Sequence, residues 1–171
     1  MRAVRLANPK SITISGIQTP LAAIANLTAA PPVSSSSGGA IAAVKAAQAA
    51  EQAIVVLGAD DEGEGHDRKS TTLDPTQVAL AEAVLAVGKP TVIVLLHGGI
   101  LSVDSLAKPD GKHALVNAWF PGLRGAEAMA KSLFGAKGFN RWGKLPATIY
   151  AKSFSGESLC ARGSRSVGPL R

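Results

Sequence analysis

Apolar and polar positions alternate in two registers along this chain, and the change between them marks the elements. Ser11 to Ile17 alternates polar and apolar residues, which predicts a short half-buried strand. Pro31-Pro32 and Ser34 to Ser37, followed by Gly38-Gly39, predict a loop that no helix can cross. Ala40 to Gln52 is Ala-rich and reads as a helix with a thin apolar stripe through Ile41, Val44 and Ala47. Ala53 to Leu57 is a continuous apolar run closed by Gly58, as in a strand buried on both faces. Asp74-Pro75 then opens a helix to about Val87, with a capping acid ahead of Pro at the first helical position. Thr91 to Leu96 is the most strongly apolar strand and is closed by His97-Gly98-Gly99. Ala114 to Trp119 predicts a further strand, Gly125 to Phe134 a helix, and Pro146 to Tyr150 a last short strand.

Strands alternating with helices predict an α/β fold, an open and mostly parallel sheet flanked by helices with right-handed crossovers. In such sheets the working loops lie beyond the carboxyl ends of the strands. The segment after Gly58, His97-Gly98-Gly99 and Pro121-Gly122 all fall there. The 171 residues suit one domain, and 46% hydrophobic with 4% aromatic residues favours helices on a parallel sheet over an all-β sandwich. No apolar run reaches the ~20 residues of a bilayer span, and no signal peptide is expected from Met1 to Lys10. We expect a partial N-terminal segment over 1–37, an α/β domain over 38–154, and a disordered basic tail over 155–171.

Net charge is +6, but it sits in the ends: residues 11–150 hold eleven basic and eleven acidic side chains. A nucleic-acid binder needs a basic stripe on its folded face, so that partner is not expected, nor is a membrane. The lone Cys160 excludes an intrachain disulfide and a multi-cysteine zinc site. No metal-ligand spacing links His66, His97 and His113, and no metal or cofactor is expected. His97, ending a buried strand, reads as a hydrogen-bonded structural residue, and His113 as a surface one.

The densest chemistry is Asp60-Asp61-Glu62-Gly63-Glu64-Gly65-His66-Asp67-Arg68, with five carboxylates in eight positions. Glycines allow positive φ, so the side chains between them can be aimed. A Glu crowded by other carboxylates can hold its proton to a higher pH and serve as a general acid. Arg68 can pair with Asp67 and pin the end of the loop. The pattern alone also fits a solvated acidic loop or a site for a hard cation, although the EF-hand spacing is missing. Phosphate binding fits less well, because the glycines match no phosphate-loop pattern and the acids would repel the ligand.

The order of these blocks resembles the C-terminal domain of family 3 glycoside hydrolases, the β-glucosidases and β-xylosidases. Glu64-Gly65-His66-Asp67-Arg68 looks like that family's Glu-Gly-x-Asp-Arg, with Leu73 and Gln77 at the family's offsets. Thr91 to Gly99, Ala118-Trp119-Phe120-Pro121-Gly122, Leu133-Phe134-Gly135 and Gly143-Lys144-Leu145-Pro146 continue the likeness over about residues 40–150. The resemblance implies a retaining exo-acting β-glycosidase acting on a β-linked glucoside or xyloside. It implies Glu64 as the acid/base, with Glu62 as the runner-up because loop length varies. His66, Asp67, Arg68 and Trp119 are then candidate sugar contacts. It also implies a barrel domain carrying the nucleophile, for which residues ahead of position 40 leave no room. Thr71 and Asp74 depart from the family's Leu and Pro, Ala126 from its Gly, and its opening strand ending in Gly-Pro is missing. We therefore expect a partial gene product, inactive alone. A catalytically inactive remnant, or a carbohydrate-binding module that keeps the fold without turnover, is the alternative.

Overall fold

The computed structural model describes residues 17–28, 32, 39–59, 63, 65, 68, 70–107, 110–139, 142, 143 and 145–156. Its elements are α1 (Pro20–Ala25), α2 (Gly39–Gln48), β1 (Ala53–Gly58), α3 (Pro75–Leu85), β2 (Thr91–Leu96), β3 (His113–Asn117) and α4 (Gly125–Leu133). A single 3₁₀ turn, Lys152–Gly156, follows. The expected α/β architecture is observed, with a parallel sheet of order β1-β2-β3.

Alternation along the strands divides the core in two. Val55, Leu57, Ile93 and Leu95 point to one face, where they pack with Ala47 of α2 and with Ala81 and Val84 of α3. Ile54, Val56 and Val94 point to the other, against Ala23 and Ile24 of α1 and Met129 and Ala130 of α4. Successive side chains of a strand face opposite ways, so a sheet covered on both sides needs apolar residues at every position. That is the reason β1 is buried at all six of its residues.

Several boundaries differ from the sequence expectation. The strand expected over 11–17 falls outside the described residues except for Ile17, which lies in no strand. Helix α1 is unforeseen: Thr19 caps it by accepting from Ala22 N, and Pro20 opens its first turn. In α2 the buried residues are Ala46 and Ala47, while Ile41 is 75% exposed. The third strand ends at Asn117 rather than Trp119. Ala118 N–H still donates to Leu95 O at 2.9 Å, but Trp119 takes φ +52, which no strand residue adopts. Pro146–Tyr150 makes no ladder. Pro146 has no N–H to donate, and the segment joins the core through Ile149 instead. Finally, His113 is not on the surface. Its side chain is 3% exposed, with Nε2 2.7 Å from Leu106 O and Nδ1 2.8 Å from Asp110 Oδ1.

On α4, Glu127 bridges Arg124 and Lys131, each at 2.7 Å. The hydrogen bond from Lys131, then that from Arg124, lowers its carboxyl pKa from 4.5 to about 2. A carboxylate favoured in the folded state contributes fully above its unfolded pKa, and the contribution fades as pH falls from 4.5 through about 2. Carboxyl NMR should give a Glu127 midpoint near 2, moving back toward 4.5 in Lys131→Ala. A wild-type midpoint near 4.5 would show that the bridge does not persist in solution.

Candidate active site

The loop after β1 leaves the carboxyl end of the sheet, where the sequence places the chemistry. Asp60, Asp61, Glu62, Glu64, His66, Asp67 and Lys69 lie outside the described residues, so Glu64, the Glu62 runner-up and any pairing of Asp67 with Arg68 have no geometry here. What the structure does describe is the frame from which the loop springs.

At its start, Gly58 is wedged between two neighbours. A Cβ at this position would lie 2.5 Å from Leu96 O and 3.2 Å from Leu96 Cβ, so only Gly allows β1 to close onto β2 there. From the other side the Gln77 carboxamide accepts from Gly58 N at 2.9 Å and donates to Gly58 O at 2.8 Å. Gln77 is delivered by the first turn of α3, whose cap Asp74 accepts from Thr76 N at 2.7 Å and from the Thr76 hydroxyl. The Thr76 hydroxyl, then its N–H, holds the Asp74 carboxyl below the usual carboxylate range. Asp74 is thus a settled carboxylate at neutral pH and unsuited to donate a proton.

Within the loop Gly65 takes φ +91, a conformation that glycine adopts readily. At its end Arg68 reaches across to the turn after β2. Its guanidinium donates to Gly99 O at 3.4 Å and to Ile100 O at 2.5 Å. The returning chain stays on that turn, with Ser102 N donating to Thr71 O at 2.7 Å. Gly99 O also faces His97 Nδ1 at 2.5 Å, which places a proton on that nitrogen, and Nε2 meets the Asn117 carboxamide at 3.0 Å. His97 is 2% exposed, so it is the hydrogen-bonded structural residue expected of it. Trp119 is half-buried and lies against it, ring centroids 4.7 Å apart at 47°. Two strand ends, β2 and β3, are thereby tied together.

A cavity of about 400 Å³ opens beside this frame, lined by Gly58, Arg68, Thr72, Asp74, Gln77 and Lys152. A larger groove of about 480 Å³ opens between α1 and α4, where Arg124 and Lys131 already serve Glu127. Among the described residues no cluster of His, Cys, Asp and Glu could hold a metal ion. None of their helices is long and apolar enough to cross a membrane. Gln77 and Asn117 are the two framing residues to which the sequence reading gave no role.

The family model of the glycosyl hydrolase family 3 C-terminal domain matches residues 5–161. The chain belongs to this family. Probable β-D-xylosidase 6 of Arabidopsis thaliana is 39% identical over 105 residues, 60% of this chain and 13% of that protein. The periplasmic β-glucosidase of Salmonella typhimurium is 38% identical over 100 residues, 56% of this chain and 12% of its own length. In structure, a β-glucosidase from Chaetomella raphigera superposes with a TM-score of 0.69 and 32% identity, covering 79% of this chain and 20% of that one. This family 3 C-terminal domain thus spans only 12–13% of the two curated relatives.

Proposed function

We propose that this family 3 domain supplies the acid/base to a retaining exo-acting β-glycosidase whose nucleophile comes from a barrel domain. Glu64 is the acid/base residue, and terminal β-linked glucosides or xylosides are the substrates. The observation that carries the reading is the frame around the loop. Gly58 at the end of β1 is tied to Gln77 of α3, and Arg68 at the loop's return to the turn after β2, in each case by side-chain-to-backbone hydrogen bonds. The described residues on both sides of the loop are thereby anchored to the α/β scaffold.

In this mechanism the protonated acid gives its proton to the glycosidic oxygen while a carboxylate ~5 to 5.5 Å away attacks the anomeric carbon. The same Glu, now ionised, then takes a proton from the water that releases the sugar. His66, Asp67, Arg68 and Trp119 are the proposed sugar-side neighbours, and flat rings such as Trp119 suit the C–H face of a pyranose. The test is turnover of nitrophenyl β-glucoside and β-xyloside by the chain alone and by the chain with a family 3 barrel domain. We expect turnover only from the combination. Turnover by the chain alone that survives both Glu64→Gln and Glu62→Gln would remove the assignment.

A further inference from the structure

The outer edge of β1 explains what Gln77 does. In a parallel pair the N–H and C=O of one residue turn to the same neighbour, and alternate residues turn to opposite sides. Ala53 and Ala59 donate to Pro90 O and Leu96 O, so the odd-numbered residues of β1 face β2 and Gly58 faces away. Among the described residues no strand pairs with that outward edge. There Gln77 takes the place of a peptide group, making the donor and the acceptor bond that a neighbouring strand would make. A carboxamide is suited to this because it carries an N–H and a C=O in one plane. Leu96 blocks Gly58 from one side and Gln77 holds it from the other.

We propose that Gln77 is a positioning residue for catalysis: it fixes the strand end from which the acid/base loop departs, as Arg68 fixes the return. This rests on the reading of Glu64 given above. Gln77 and Arg68 thus anchor the described residues on either side of the loop to α3 and to the turn after β2. Loss of the Gln77 bonds frees the outward N–H and C=O of Gly58, while Ala59 stays bonded to Leu96 O. A displacement near 1 Å can cost about 10²-fold in rate when a proton must be delivered.

The test compares kcat/KM for an alkyl β-glycoside, which needs the proton, with a dinitrophenyl β-glycoside, which departs without it. Both are measured in the active combination of domains. Gln77→Leu, which removes both hydrogen bonds, should lose roughly tenfold or more on the alkyl substrate. On the dinitrophenyl substrate it should stay within about twofold, since no proton is required there. Equal losses on both substrates, or none, would reduce Gln77 to a structural residue and overturn the inference. Glu64→Gln in the same series separates the two claims. If it shows no leaving-group selectivity, the acid assignment itself fails; if it does and Gln77→Leu does not, only the positioning role fails. Hydrogen exchange on the chain alone reads the contact directly. The Gly58 amide should exchange faster in Gln77→Leu while the Ala59 amide, bonded to Leu96 O, keeps its protection. Unchanged Gly58 protection would contradict the proposal. Should Gln77→Leu not fold, Gln77→Glu keeps the volume and the acceptor but loses the donor, and carries the same comparison.

Discussion

Gly58→Ala is expected to destabilise the domain by about 2–3 kcal/mol, near the upper end of ordinary overpacking losses. The added methyl would meet Leu96 O at 2.5 Å, and that oxygen belongs to the middle strand of the sheet. A flexible side chain could swing aside; a backbone carbonyl already accepting from Ala59 N cannot. The strain must therefore part β1 from β2 at the end that carries the acidic loop. Gly65→Ala makes the useful contrast. It has open space for a methyl but sits at φ +91, so its cost is conformational, on the order of 1–2 kcal/mol. Urea denaturation of both variants checks the pair. A Gly58→Ala protein within about 0.5 kcal/mol of wild type, the range of a neutral surface change, would mean that the close approach is absent in solution.

The larger functional effect belongs to Glu64→Gln. Glutamine keeps the size and hydrogen-bonding ends of the side chain but has no acidic proton to give. General acid–base groups contribute about 10²–10⁴-fold, so kcat on an alkyl β-glycoside should fall by that order. Glu62→Gln should stay within a few-fold of wild type, because it removes a neighbour rather than the proton donor. If the two variants exchange these behaviours, the acid/base is Glu62.

What was legible in the sequence follows from the range of the forces involved. β1, α3, β2 and α4 could be read because burial on both faces leaves continuous apolar runs, and because Asp74-Pro75 announces a helix start locally. The end of β3 could not be read, since Trp119 carries no marker of its positive φ. Its ring lies against His97, a residue of another strand end that no local pattern names. The burial of His113 likewise depends on the Leu106 carbonyl, supplied by a turn seven residues earlier. Gln77 stands three residues after the cap Asp74, a position from which a side chain can bend back to the cap. Instead the Gln77 amide reaches Gly58, nineteen positions away. That contact has no local marker in the sequence. The frame of the site became visible only with the sheet in place, whereas its acidic chemistry stood out from the sequence alone.

The most direct measurement of the central claim is rescue of Glu64→Ala by azide in the active combination of domains. Once the glycosyl-enzyme forms from an activated dinitrophenyl β-glycoside, water needs a general base to attack it, whereas a small anion does not. If Glu64 is the acid/base, azide restores turnover of the stalled variant and the product is the β-glycosyl azide, with configuration retained. No rescue and no azide adduct from Glu64→Ala, with both appearing for Glu62→Ala, would contradict it.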